Sequence, residues 1–336
     1  MEPLWSALNF AQRCGMAVVI SDNSGDAEKR AYFENGPSHL TYLANGPAGA
    51  ATNVMAALSA VDTEFVLILG DDDYIDLADG AAPYDFSTLA ADVIGVKPRI
   101  ELVSANRQRV SVNDFSIDET DAATRVLEYT RKMRGGNSSY YSFFRTRQIA
   151  AIHGLFAAHH PTRIGNADFP IVFALVAAGR IVHDPATTIR YDNSRWEDVE
   201  TASAAILDLF AEAGMPAEAR SYMLLLHFLD SYVLMLREDA GMEPIDRYKS
   251  AYAVIMVFLR KFLMRVAETP QDYELVADLT PPLGQEVEKA DPDLDRIFHI
   301  AGLMADRLKP GLKERYDGYL LAAVRGTPAP EQQLQD

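Results

Sequence analysis

Five consecutive apolar residues, Phe65-Val66-Leu67-Ile68-Leu69, run without interruption into Gly70-Asp71-Asp72-Asp73. A strand that is apolar on both faces must be covered on both, which calls for helices above and below a sheet. The residues upstream repeat the scheme. Ala17-Val18-Val19-Ile20 reads as a buried strand halted by Ser21-Asp22-Asn23-Ser24-Gly25-Asp26, and residues 40–43 read as another, closed by Asn45-Gly46-Pro47. Leu4, Trp5, Leu8 and Ala11 share one face of a short helix that Gly15 ends, and the Ala-rich stretch 49–61 is helical. The expected fold class is α/β, a Rossmann-like, mostly parallel sheet with helices on both faces, followed by an all-helical domain.

Downstream the pattern softens. Val93-Ile94-Gly95-Val96 and residues 100–103 and 140–144 look like strands. Residues 118–133, 148–156 and 168–178 look like helices, and Ile181-Val182 follows them. From residue 196 helical periodicity dominates, over 199–213, 217–238, 247–267 and 294–308. The expected domains are 1–195 (sheet), 196–325 (helical) and a disordered tail at 326–336. A length of 336 residues, at about 150 per domain, agrees with two. The apolar faces of 217–238 and 247–267 are expected to pack as an antiparallel pair. That pair either covers the sheet domain or makes a homodimer contact.

Charge and composition narrow the class. With 31 basic and 48 acidic residues the net charge is −17, which argues against nucleic acid as a partner. The one cysteine, Cys14, excludes an internal disulfide and fits a reducing compartment. The longest apolar candidate, residues 251–259, falls far short of the ~18–20 residues of a membrane span. The first residues lack a signal peptide's basic segment and long apolar run. A cytoplasmic place is expected, with peripheral association at the inner face of a membrane left open.

Three acidic positions carry the chemistry. Ligands bind at the carboxyl ends of strands in open α/β sheets. Asp71, Asp72 and Asp73 stand at such an end, and three clustered carboxylates repel one another unless a hard cation such as Mg²⁺ or Mn²⁺ relieves them. Asp22 ends a strand within a polar loop and has the chemistry to accept a hydrogen bond from a base or a ribose hydroxyl. Asp168, in Ile164-Gly165-Asn166-Ala167-Asp168, opens a helix. His183, after Ile181-Val182, is a candidate third metal ligand, and Arg107, Arg109, Lys132 and Arg134 are candidates for a basic rim.

In this order, these residues resemble the family-2 glycosyltransferases of the GT-A type, over residues 4–195: a strand to Asp22, an Asn45-Gly46 loop with a helix to Asn53, a strand to the acidic triplet, and an acid opening a helix. The resemblance implies a metal-dependent, inverting glycosyltransferase. Its donor is a nucleotide diphosphate sugar, and its acceptor a hydroxyl of a glycan, a lipid-linked glycan or a protein, in polysaccharide or cell-envelope synthesis. It implies a donor site with Asp22, Asn53, Asp71 and Asp72. It also implies Mn²⁺ or Mg²⁺ on Asp71 and Asp73, with His183 as third ligand, and Asp168 as general base. The register within the triplet stays open, because Gly70 occupies what is often the first acidic position. Thr52 stands where the family often has Arg, and Ala167 where it has Glu; both remove a charge, and they motivate the alternative of a non-catalytic scaffold or binding protein. The family pattern also has a strand before the first helix, and only Met1 and Glu2 stand there. Two outcomes are expected: a natural start further upstream, or direct pairing of the strand ending at Ser21 with residues 65–69.

Overall fold

A computed structural model describes residues 2–34, 36–134, 136–162 and 168–326. Asn166 and Ala167, and all of the expected tail after Gly326, lie outside the described residues. The chain forms two compact units. One comprises Met1–Asp118, Lys132–His153 and Gly179–Ala205; the other comprises Glu119–Arg131, Gly154–Ala178 and Ile206–Asp336.

The first unit is α/β. Its elements begin with α1 (Glu2–Cys14), β1 (Val18–Asp22), α2 (Ala27–Phe33), β2 (Leu40–Ala44) and α3 (Ala50–Ser59). Then come β3 (Phe65–Val66), β4 (Tyr74–Leu77), β5 (Val93–Val103), β6 (Arg109–Asn113), β7 (Phe143–Arg145) and β8 (Arg180–Asp192). β1 and β2 pair in parallel as a sheet of their own. The other six strands form one curled sheet in the order β3-β7-β5-β8-β4, with β6 on β5. Its spine is the parallel β5–β8 ladder, in register from Val93 opposite Arg180 to Val103 opposite Asp192. Irregularities after Val93 and after Pro98 interrupt that register; a proline cannot donate to a ladder, and bulges accommodate it.

The six-stranded sheet is mixed where the sequence pattern led us to expect a mostly parallel one. β3–β7, β5–β7, β5–β6 and β4–β8 are all antiparallel. Chain length decides part of this. Only residues 104–108 join β5 to β6, enough for a hairpin and too few for a parallel crossover. An apolar run does not report the direction of the neighbouring strand, nor full burial: β1 and residues 65–69, read as buried strands, are half-buried. Direct pairing of the strand ending at Ser21 with residues 65–69 does not occur: among the described residues β1 pairs with β2, and β3 with β7. Of the apolar run 65–69, only Phe65 and Val66 enter a ladder.

Strand parity sorts the faces. Val96 and Ile100 of β5, Ile189 of β8 and Ile75 and Leu77 of β4 point to one side. There they close on Phe10 of α1 and Phe143 of β7 as the core of the unit. Arg99 and Glu101 of β5 and Thr188 and Arg190 of β8 alternate with them and face the other way.

The second unit is helical. It holds most of α4 (Ala122–Lys132), the end of α5 (Thr146–His159), α6 (Asp168–Ala178) and the end of α7 (Val199–Glu212). It continues with α8 (Met223–Met235), α9 (Pro244–Val254), a π-helical turn (Ile255–Leu259) and α10 (Arg260–Glu268). α11 (Thr280–Val287), α12 (Leu294–Leu308) and α13 (Leu312–Arg325) complete it. The unit takes in residues 119–131 and 154–178, which the sequence pattern grouped with the sheet, because α6 packs on α8 and α4 packs on α6. Tyr129 meets Phe173 edge-on at 5.1 Å. The Arg125 guanidinium donates to the carbonyls of Val176 and Ala177 at the end of α6 and to those of Glu119 and Thr120. α8 is buried all round over 225–235 and packs on α9, the π-helical turn and α10, the contact expected of 217–238 with 247–267. No described helix is long and apolar enough to cross a membrane.

Candidate functional site

The acidic triplet sits in the turn between β3 and β4. The Asp73 amide donates to the Gly70 carbonyl at 3.4 Å, closing a tight reversal. Antiparallel pairing of Tyr74 with Arg190 then brings Asp73 to the carboxyl end of β8. There the Asp192 amide donates to Asp73 Oδ1 at 2.9 Å. Asp71 and Asp72 are exposed; Asp73 is fully buried.

Two carboxylates fold back over Gly70. A β-carbon on Gly70 would stand 2.7 Å from Asp72 Oδ1 and 2.8 Å from Asp73 Oδ2, so no larger residue fits without displacing them. Asp73 Oδ2 is buried and has no hydrogen-bond partner. Burial raises the Asp73 carboxyl from 3.8 to about 6, and the charges of Asp72 and Asp192 add to the rise. The Asp192 amide and the nearby Tyr141 hydroxyl offset part of it. The Tyr141 ring lies 5.2 Å from that of Tyr191, so an aromatic pair stands beside the buried carboxylate.

This pair of oxygens suits a hard divalent cation. Mg²⁺ and Mn²⁺ are commonly held by one or two carboxylates, with water and substrate phosphate filling the other positions. Asp72 and Asp73 are the ligands this geometry favours. Among the described residues no three His, Cys, Asp or Glu side chains are gathered as a metal-holding group, so the expected set Asp71, Asp73 and His183 does not form. His183 lies opposite Lys97 in the β5–β8 ladder, with Nδ1 3.0 Å from the Lys97 carbonyl.

The residues expected to meet the nucleoside hold the β1–β2 sheet together. Asp22 Oδ2 accepts from the Tyr42 hydroxyl at 2.5 Å and Oδ1 from the Ser24 amide at 2.9 Å. Burial alone would raise this carboxyl, but those hydrogen bonds bring it below its usual value. Asn53, on α3, donates from Nδ2 to the Ser21 carbonyl at 3.0 Å. Its Oδ1 accepts from the Ser21 hydroxyl at 2.8 Å and from Asn45 Nδ2 at 3.2 Å. The Asn45-Gly46 loop and α3 are thereby fastened to the end of β1.

Asp168 is the first residue of α6 in the helical unit, where a carboxylate meets the positive end of the helix dipole. The expected basic rim is divided. Arg107 pairs with Glu2 at 3.4 Å, Arg109 with Glu101 at 3.3 Å, and Lys132 donates to the Ser116 carbonyl at 2.7 Å.

Asp192 and Tyr191 are the site residues that sequence reasoning misses. For Asp192 a signal exists: Tyr191-Asp192-Asn193 is another strand ending in an acid. Reading β8 as Ile181-Val182 alone hides it, since the strand runs thirteen residues. No protein-family model matches the chain, and no curated protein does.

Proposed function

We propose that the chain is a metal-dependent, inverting glycosyltransferase that uses a nucleotide diphosphate sugar. The observation that carries the reading is the buried Asp73 Oδ2, without a partner and turned with Asp72 Oδ1 over Gly70. Leaving a buried carboxylate oxygen unsatisfied costs free energy, and a bound cation returns it. The divalent cation, when bound, offsets charge developing on the leaving diphosphate. Asp72 and Asp73 hold it, and the Asp192 amide fixes the orientation of Asp73. The resemblance gives Asp168 the role of general base toward the acceptor hydroxyl. Attack opposite the leaving group inverts the configuration. The GT-A type of sheet and the setting in polysaccharide or cell-envelope glycan synthesis belong to the same proposal.

Calorimetric titration with Mn²⁺ and UDP-, GDP- and dTDP-sugars tests it. Binding of one donor that requires metal, and is lost in Asp73→Asn, is the expected result. Absence of binding of any nucleotide sugar, with or without metal, refutes it. Asp168→Asn is expected to abolish transfer while sparing donor affinity.

One observation favours the second reading, a non-catalytic scaffold: Asp22 and Asn53 are spent on internal hydrogen bonds. Metal and donor binding without transfer to any acceptor, unchanged in Asp168→Asn, would select it.

A further inference from the structure

The solvent face of the mixed sheet carries an arginine cluster that neither the acidic turn nor the fold explains. Glu101 of β5 lies at its centre. Arg190 stands directly opposite on β8, Arg99 two residues earlier on β5, and Arg109 on β6 opposite Val103. Strand parity puts all four on the face away from the core. Arg109 Nη1 lies 3.3 Å from Glu101 Oε1, Arg99 Nε 3.4 Å from the same oxygen, and Arg190 Nε 3.9 Å from Oε2. The Glu101 side chain is only 17 % exposed beneath arginines that are 38–58 % exposed.

Three guanidinium groups share one carboxylate, which leaves two positive charges in excess. A guanidinium has five N–H donors and a carboxylate two oxygens, so the donors far outnumber what Glu101 can accept. Arg99 Nε is buried and makes no hydrogen bond. Neighbouring acids offer little relief: Asp76 is 3.3 Å from Arg13, and Glu2 is 3.4 Å from Arg107. The cluster therefore stands as a local cationic excess on a chain of net charge −17.

We propose that this face binds a phosphoryl group, as a phosphate monoester or the diphosphate of a soluble ligand. A dianion balances the excess charge, and guanidinium forks match phosphate oxygens in pairs. Glu101 gathers the three side chains in the free protein and competes with the ligand for them. The inference is independent of whether the acidic turn holds a cation.

Inorganic pyrophosphate in EDTA, with no divalent cation present, is the probe. In the wild type, titration followed by the Nε–H resonances of arginine should move Arg99, Arg109 and Arg190 together and saturably. Arg109→Gln and Arg190→Gln should each weaken binding about fivefold, the size of one exposed ion pair. Glu101→Gln should tighten it by a similar factor, because the internal competitor is gone. The proposal is overturned if the wild-type resonances do not move saturably at millimolar pyrophosphate. It is overturned equally if the arginine variants bind as the wild type does, or if Glu101→Gln weakens binding. The wild-type titration decides even where a variant fails to fold.

Discussion

Replacing Asp73 with Asn is expected to make the protein more stable at pH 8 while removing its capacity for metal. The carboxyl is fully buried and its pKa is raised from 3.8 to about 6. At about 1.36 kcal/mol per unit, holding it ionised in the fold costs about 3 kcal/mol. Asn keeps the shape and, through its own Oδ1, the acceptor for the Asp192 amide. It adds an NH₂ with no acceptor where Oδ2 stood, at a cost of about 1–2 kcal/mol. The net expectation at pH 8 is a gain of about 1–2 kcal/mol, or ~2–8 °C in Tm for a unit of this size. The pH dependence has a fixed sign. A carboxyl with a raised pKa penalises the folded state fully above about 6, and the penalty disappears as pH falls toward 3.8. The advantage of Asp73→Asn should therefore shrink from pH 7 downward and reverse near pH 4, where the wild-type carboxyl is neutral and Asn still carries its unpaired amide. Urea unfolding of both proteins in EDTA at pH 8, 6 and 4.5 measures this. A stability difference that does not change with pH would refute the reasoning, because Asp73 would then not be an ionised group under strain. Mn²⁺ should raise the Tm of the wild type and leave that of the variant unchanged.

Lys97, fully buried, has its pKa lowered by desolvation from 10.5 to about 7. Lys97→Met should be more stable than the wild type at pH 6, with the difference fading as pH rises from 7 toward 10.5, as read by chemical denaturation. Arg125→Ala strips the last carbonyls of α6 of their donor. It should cost the helical unit about 2–4 kcal/mol in urea unfolding. Asn53→Ala, which removes the side-chain bonds from α3 to Ser21 and Asn45, should cost about 1–3 kcal/mol, visible as faster hydrogen exchange over 18–22 and 50–59.

Local signals made the two-part organisation and the acidic turn legible. Phe65 to Leu69 followed by three acids marks an apolar segment and its stop, although the run is half-buried and only Phe65 and Val66 pair, and the helical pattern over 217–238 marks a helix. Asp22, Asn45 and Asn53 were legible as a group, but spacing does not distinguish side chains that meet a ligand from side chains that fasten a helix to a strand. The long β8 was not legible beyond Ile181-Val182. Asp184, Pro185, Thr187 and Thr188 interrupt its apolar pattern, and what holds them extended is the ladder to β5 and β4, made with residues more than eighty positions away.

The sequence by itself determined which segments are apolar, where they stop, and that a carboxylate cluster follows an apolar run. These follow from side-chain chemistry within a few residues. Only the tertiary structure decided the direction of each strand's neighbour, the assignment of α4 and α6 to the helical unit, and which acid of the triplet is sealed from water. Asp71, Asp72 and Asp73 are chemically identical. The pairing of β4 with β8 draws Asp73 onto the Asp192 amide and leaves its neighbours in solvent, and burial, not residue type, sets the free energy of a charge.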